Sequence, residues 1–299
     1  MYGTILLTKT REMNVLSLFD GMSCGQIALE KVGIKVDTYF ASEIDLQAMK
    51  VTRSNYPETV FEGDVTKVKG SNLPKIDLLC GGSPCQGFSF AGKQLNFEDP
   101  RSKLFFEFVR LLKECNPKYF LLENVKMNKE HEKVITDLLG VEPISINSLL
   151  FTAQRRPRLY WTNIPVAALP DDLGFTVKDI IDSKSSEYEY IDEWKTKDRI
   201  YTKNYLQYDI NGTGHKSQDQ RAFYLDSKHG CLDTGAGGKA KILERNGKVR
   251  KITRNEGERL QGVPDNYTAE VSRFQALKML GNGWTIDVIA HIFKGITNN

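Results

Sequence analysis

No apolar run in this chain approaches membrane-span length, and its N-terminus lacks a signal-peptide layout, so insertion and export are not expected. Cysteine is scarce: 5 in 299 residues, an odd number without regular pairing. That argues against a disulfide-stapled scaffold and for a reducing compartment such as the cytoplasm. Cys80 and Cys85 have no second pair and no histidine partners at zinc spacing, so no metal site is expected. Cys-x-x-Cys is absent, which disfavours thiol redox chemistry. Gly-x-Gly-x-x-Gly is absent too, which disfavours a nicotinamide dinucleotide. Charge is nearly balanced at +3, and that alone makes no case for a nucleic-acid partner.

What is present is an ordinary globular composition, 40% hydrophobic and 26% charged, at a length that holds one large domain or a large and a small one. Strands are expected at 15–19, 39–44, 76–80, 119–125, 145–151 and 158–164. Helices are expected before Gly33, over 46–56 and from about 103 to 115. Their alternation argues for an α/β fold, a mostly parallel sheet covered on both faces. Residues 183–250 mix Gly, Asn, Lys and Tyr without helical period, as a small, irregular, partly β unit would. Helical periodicity returns over 274–280 and 288–293.

The run Gly82-Ser83-Pro84-Cys85-Gln86-Gly87-Phe88-Ser89 closes an apolar segment. A cysteine on a glycine-rich turn past a strand end sits where open α/β sheets do their chemistry, whereas Cys80, inside the strand, fits a buried thiol. For this window alone, a free thiol on a loop is the plain alternative. Phe19-Asp20-Gly21-Met22-Ser23-Cys24-Gly25 lies between the first strand and first helix, where glycines let backbone approach a ligand. Glu43 ends the second strand, placed for ribose hydroxyls, and Asp64 follows the next apolar segment, placed for an adenine amino group. Ordinary strand-end carboxylates look the same. Arg156 and Arg158, two apart, share one face of a strand, as surface pairs also do.

The stretch Ser83-Pro84-Cys85-Gln86-Gly87-Phe88-Ser89-Phe90-Ala91-Gly92-Lys93, continued by Phe97-Glu98-Asp99-Pro100-Arg101-Ser102-Lys103-Leu104-Phe105-Phe106, resembles the nucleophile motif of the cytosine-5 DNA methyltransferases. Five more blocks resemble that family in its own order: 15–25, Glu123-Asn124-Val125, Gln154-Arg155-Arg156-Pro157-Arg158, Arg259-Leu260-Gln261-Gly262-Val263-Pro264-Asp265, and Leu280-Gly281-Asn282-Gly283. The resemblance is weakest between about residues 165 and 248.

It implies a Rossmann-like S-adenosylmethionine-dependent methyltransferase domain plus a small target-recognition domain. The catalytic domain would be 1–175, completed by 275–299, and the recognition domain 176–274. The cofactor would lie against residues matching Phe19, Asp20, Gly21, Gly25, Glu43, Ile44, Asp64, Val65, Pro84, Leu104 and Asn282. Trp284 either walls the methionine end of that pocket or is core. Cys85 would add to C6 of a flipped-out cytosine, Glu123 would hold N3, Arg158 would bind O2, and Arg156 would neutralise phosphate or the thiolate. The loop 87–99 would close over the base, with Lys93, Gln94 and Arg101 reaching phosphates.

Sequence choice would fall to 183–250. Residues 195–260 hold 15 Lys+Arg against 8 Asp+Glu, interleaved with Tyr201, Tyr205, Tyr208, Phe223 and Tyr224. Candidate DNA contacts are Lys216, Gln218, Gln220, Arg221, Lys228, His229, Lys239 and Lys241, whereas Arg259 reads as structural. The expected partner is double-stranded DNA, with no membrane, and the expected state is a monomer in a bacterial or phage-infected cell. A tRNA cytosine-5 methyltransferase and an inactive DNA-binding relative are the alternatives. The Cys-Phe-Thr signature of the RNA branch is absent, and intact Cys85, Glu123 and Arg158 speak against inactivity.

Overall fold

A computed structural model describes residues 12–83, 100–191, 198–202, 205–209, 221–235 and 239–297. Twelve strands and eight helices are distinguished among them. The strands are β1 (Met13–Leu18), β2 (Val36–Ser42), β3 (Val60–Phe61), β4 (Leu78–Gly82), β5 (Tyr119–Val125), β6 (Ile144–Asn147), β7 (Pro157–Thr162), β8 (Asp198–Thr202), β9 (Tyr205–Asp209), β10 (Arg221–Tyr224), β11 (Lys241–Leu243) and β12 (Val249–Lys251). The helices are α1 (Cys24–Lys31), α2 (Leu46–Asn55), α3 (Pro100–Cys115), α4 (Lys129–Leu139), α5 (Val177–Ile180), α6 (Arg254–Gln261), α7 (Arg273–Asn282) and α8 (Ile286–Thr297).

Seven strands form one sheet in the order β3-β2-β1-β4-β5-β7-β6, parallel except that β7 runs against both its neighbours. The central strands are apolar on both faces because helices cover both. Along β1, Val15 points into one core with α1 and α8, and Leu16 and Leu18 into the other with α3 and α4. Leu78 and Leu79 in β4, and Leu121 and Leu122 in β5, divide the same way. Helix ends follow local chemistry: Asp45 caps α2, Asn128 caps α4, and Gly140 ends α4 in a left-handed turn.

The second sheet has the order β12-β11-β10-β9-β8. It is fastened once to the turn before β7 of the first sheet and once to α6. The segment after β10 pairs with the turn before β7, His229 N–H donating to Ala153 O (2.7 Å) and Arg155 N–H to His229 O (2.9 Å). Buried Arg250 of β12 donates to Glu256 of α6 from two nitrogens at 2.8 and 2.7 Å, and to Glu244 at 2.7 Å. One core runs through the junction: Phe223, Leu232, Ile242, Ile252 and Leu260 pack in the same cluster as Val15 and Ile289.

Candidate active site

The strand order reverses direction between β1 and β4, and in open α/β sheets ligands bind at the strands' C-terminal ends beside such a switch. On the β1 side the chain leaves the sheet through a tight turn in which Phe19 (φ 56°), Gly21 (φ 61°) and Ser23 (φ 62°) are all left-handed. Two non-glycine residues there carry strain, and a hydrogen-bonded framework holds them. Asp20 accepts from Ser23 Oγ at 2.5 Å and from Tyr39 Oη at 2.8 Å. Burial pushes its carboxyl up to about 6. Glu43 accepts from Gly21 N–H at 2.7 Å, and from Ile44 and Asp45 N–H at 2.7 Å each, so one carboxylate ties the turn after β1 to the turn after β2.

Beside that carboxylate Ile44 and Leu46 stand 73% and 72% exposed, large apolar side chains left in the open. Such residues next to a carboxylate at strand ends suit a ligand with a flat aromatic ring and hydroxyls. Asp64 begins the short turn after β3, spending one oxygen on Thr66 N–H (3.0 Å) and Oγ1 (2.8 Å), and those bonds lower its pKa. Val65 is buried beneath, its carbonyl accepting from Arg110. Leu104 of α3 and Phe19 are both half-buried against the second core. Phe19, Gly21, Glu43, Ile44 and Asp64 thus line one rim across β1, β2 and β3.

Two of the expected cofactor residues face elsewhere. Both Asp20 oxygens are turned inward to hydroxyls, so its side chain shapes the turn rather than meeting a ligand. A Cβ on Gly25 would lie 2.6 Å from Tyr39 Oη. Gly25 therefore makes room for the Tyr39–Asp20 bond.

On the other side of the switch, register pairs Gly82 of β4 with Glu123 of β5. A Cβ on Gly82 would come within 3.0 Å of both Glu123 Oε2 and Trp284 Nε1, so glycine lets three elements converge there. Arg158 Nε lies 3.0 Å from Glu123 Oε1, and its other nitrogens donate to Pro157 O (2.9 Å) and Cys231 Sγ (3.7 Å). Both partners are largely buried, at 13% and 11% side-chain exposure, yet Glu123 Oε2 makes no hydrogen bond among the described residues. Asn124 Nδ2 donates to Ser83 Oγ at 3.1 Å, pinning the last described residue before the sequence that carries Cys85. Cys85 and Pro84 lie outside the described residues, as do Lys93 and Gln94.

Arg156, expected to neutralise phosphate or a thiolate, is 3% exposed and committed to the interior. It donates to Leu232 O (2.8 Å), Gly281 O (3.0 Å), Gly283 O (2.9 Å) and Cys231 Sγ (3.3 Å). The two arginines do share a face, both reaching Cys231, but only Arg158 meets the carboxylate. Asn282 is exposed at the end of α7, and Trp284 is 9% exposed in the core beside Gly25 and Gly82.

The recognition candidates divide as sharply. Lys228 Nζ is buried on Leu149 O (2.9 Å), Thr152 O (3.2 Å) and Asp172 (2.7 Å), and Lys241 is buried on Lys239 O. His229 is 2% exposed, and burial pushes its pKa down to about 4. These three are framework, whereas Lys239 is exposed. Lys216, Gln218 and Gln220 lie outside the described residues. Arg259 pairs with Asp265 and donates to Ile180 and Ile181 carbonyls, a structural role. The residues to which sequence gave no role are Tyr39, Ser23 and Leu46 at the rim and Cys231 between the arginines. Gln154 and Gln261, though inside quoted blocks, gave no sign of their burial.

A family model described as C-5 cytosine-specific DNA methylase matches residues 13–141 and 152–298. The chain is 32% identical over 301 residues to Type II methyltransferase M1.ScrFI of Lactococcus lactis subsp. cremoris, covering 94% of this chain and 77% of that one. It is 31% identical to Type II methyltransferase M.HhaI of Haemophilus parahaemolyticus, covering 95% and 94%. Orphan methyltransferase M.SPRI of Bacillus phage SPR is 39% identical over 186 residues, 57% of this chain and 42% of that one. Among solved structures, the Entamoeba histolytica methyltransferase EhMeth superposes with a TM-score of 0.74 at 18% identity, covering 96% and 98%. At that identity the likeness speaks for the fold alone.

Proposed function

The chain belongs to the C-5 cytosine-specific DNA methylase family and is a DNA cytosine-5 methyltransferase, and from that premise we propose how its residues divide the reaction. The target cytosine leaves the duplex, because a stacked base cannot reach a carboxylate set at a sheet edge; unstacking costs about a few kcal/mol. Cys85 adds as thiolate to C6 of the ring, forming the Cys85–C6 bond and pushing electron density toward C5. Glu123 holds N3 and shares a proton with it as charge builds there, and Arg158 binds O2. Bound S-adenosylmethionine supplies a methyl group on a sulfonium, which the activated C5 accepts. Loss of the C5 proton and release of the Cys85 thiolate restore the aromatic ring.

The described rim fits the cofactor. Ile44 offers an apolar face beside Glu43, whose remaining lone pairs suit ribose hydroxyls, and the free oxygen of Asp64 suits an amino group. Phe19, Gly21, Val65, Leu104, Asn282 and Trp284 complete the enclosure, with Pro84 next to the nucleophile. Residues 1–175 with 275–299 form the catalytic unit, and 176–274 the recognition unit. No helix among the described residues is long and apolar enough to cross a membrane. The bacterial and phage relatives support a reading in which the chain works on double-stranded DNA in the cytoplasm, and we take it to act as a monomer.

The observation that carries this reading is the Glu123–Arg158 pair at 3.0 Å, set opposite Gly82, three residues before Cys85 in the sequence. Bisulfite sequencing of plasmid DNA from methylation-free bacteria expressing the chain tests it. Protected cytosines in one short context, lost with Cys85→Ser, are expected. Complete conversion with folded protein present overturns the reading.

A further inference from the structure

A buried polar network lies behind the reacting pair and has no task in the chemistry above. Gln154, Arg156, Gln261 and Thr285 are at most 3% exposed, although they come from three separated parts of the chain. The network starts at Leu232, in the segment that follows β10, and ends at the turn Gly281–Gly283. Leu232 N–H donates to Gln154 Oε1 at 2.8 Å. Gln154 Nε2 donates to Gln261 Oε1 at 3.2 Å, and Gln261 Nε2 to Leu280 O at 2.6 Å and Gly283 O at 3.4 Å. Thr285 Oγ1 also donates to Gln261 Oε1, at 2.7 Å, which fixes the orientation of that amide.

A second link runs beside the first. The carbonyl of the same Leu232 accepts from Arg156, whose other terminal nitrogen donates to Gly281 O and Gly283 O. Both main-chain groups of one residue are therefore tied to one turn. The backbones also touch: a Cβ on Gly281 would lie 2.1 Å from Asp233 O. Each amide in the chain has one donor–acceptor sense, and each is buried where water cannot substitute. A shift of Leu232 breaks a buried bond unless the turn follows.

We infer that Gln154, Arg156 and Gln261 are positioning residues that make the recognition segment around Leu232 and the cofactor turn around Asn282 respond as one unit. Cofactor binding and duplex binding then raise each other's affinity by the same factor, as linkage requires. The inference rests on the proposed function, which puts the methyl donor against Asn282 and DNA against the recognition segment.

Hydrogen–deuterium exchange of the full chain, with and without S-adenosylhomocysteine, tests it. In the parent protein the ligand slows exchange at 281–285 and also at 229–233, which the ligand does not contact in the proposed site. In Gln261→Met, which keeps bulk and removes the amide, protection at 281–285 persists and protection at 229–233 is lost. Thr285→Val, which removes the hydroxyl shared by Gln261 and Ser148 but keeps both amides of the link, gives a partial loss and serves if Gln261→Met does not fold. Calorimetry extends the test: sheared plasmid DNA from a methylation-free host tightens S-adenosylhomocysteine binding about fivefold or more in the parent, and less in either variant. Protection of the turn without the segment in the parent overturns the inference and spares the proposed function. So does equal segment protection in parent and variant, or DNA that binds without tightening the ligand. Protection of neither region overturns both.

Discussion

The rim of the seven-stranded sheet and the segment from Arg221 to Lys251 both carry many charged and polar side chains, and they spend them differently. At the rim, Glu123 keeps one oxygen beyond its bond to Arg158, Asp64 keeps one beyond Thr66, and Ile44 stands in the open. In the segment, Lys228, Lys241 and Arg250 are buried on carbonyls or carboxylates. Unspent bonding capacity marks the place where a ligand is received, and saturated polar groups mark the frame that holds it. Each region also buries a group whose pKa moves toward neutral pH or away from it, with opposite consequences. Asp20 under the rim is pushed up to about 6, and His229 in the segment down to about 4, both because burial disfavours charge.

The sharpest break of this comparison is Glu123→Gln. It keeps the shape of the pair but removes the proton-sharing group, so single-turnover methyl transfer to DNA should fall about 10²–10⁴-fold. S-Adenosylhomocysteine affinity, read by calorimetry, should hold. Retained transfer would return Glu123 to the frame.

Arg156→Ala probes the opposite side. Removing the guanidinium takes a donor from the carbonyls of Leu232, Gly281 and Gly283, leaving the Cys231 thiol on the first and a long Gln261 bond on the last, at roughly 1–3 kcal/mol for each bond lost. Urea unfolding should therefore show a loss of about 4 kcal/mol, and the protein that stays folded should bind S-adenosylhomocysteine with less help from DNA. Arg158→Ala also leaves the largely buried Glu123 carboxylate unpaired and so destabilises, but its loss of transfer should far exceed its loss of folded protein.

Next in size is a pair of pH effects of opposite sign. The folded protein holds the Asp20 proton above the usual carboxylate range, so its contribution to stability is full below about pH 4 and is lost as pH rises to about 6. Asp20→Asn should gain on the parent across that window, by on the order of 3 kcal/mol. His229, neutral when folded, contributes fully above about pH 6.5 and loses stability as pH falls toward 4. His229→Gln should flatten that acid limb by on the order of 3 kcal/mol. Chemical denaturation at pH 4, 5, 6 and 7 reads both.

The smallest effect is expected for Gly25→Ala, whose Cβ would press on the Tyr39 hydroxyl 2.6 Å away. Overpacking of this kind costs about 1–3 kcal/mol. It should loosen the turn enough to weaken S-adenosylhomocysteine binding, measurable in the same titrations.

Much of the frame could be read from pattern because its cause is local. The expected strand 119–125 is β5 to the residue, and the helix expected over 46–56 is α2, one residue shorter. The strand expected over 145–151 stops at Asn147, whose side chain caps a short 3-10 turn instead. Helix α4 was not foreseen although Asn128, Gly140 and buried His131, Ile135 and Leu139 mark it, since its charged surface masks the stripe. Helix α6 was missed as well, yet Thr253 and Glu256 form a capping box.

The site was legible only where spacing within one strand decides it. Two alternating arginines announce a shared face, but what stands opposite each comes from residues far along the chain. Leu232 and Gly281 bury Arg156, and Glu123 receives Arg158. For the same reason Lys228 reads as a DNA contact from composition and proves to be buried against Asp172. Gly25 shows the converse, a glycine that suggests a ligand and serves a tyrosine.

The most direct test of the central claim is capture of the enzyme on DNA made with 5-fluorocytosine, in the presence of S-adenosylmethionine. Fluorine at C5 cannot leave as a proton does, so the thiolate stays bonded to C6. A denaturation-resistant protein–DNA adduct at Cys85, absent in Cys85→Ser and in reactions without the methyl donor, is the predicted result. Folded protein that methylates DNA yet forms no adduct, or forms one through another residue, would contradict the account.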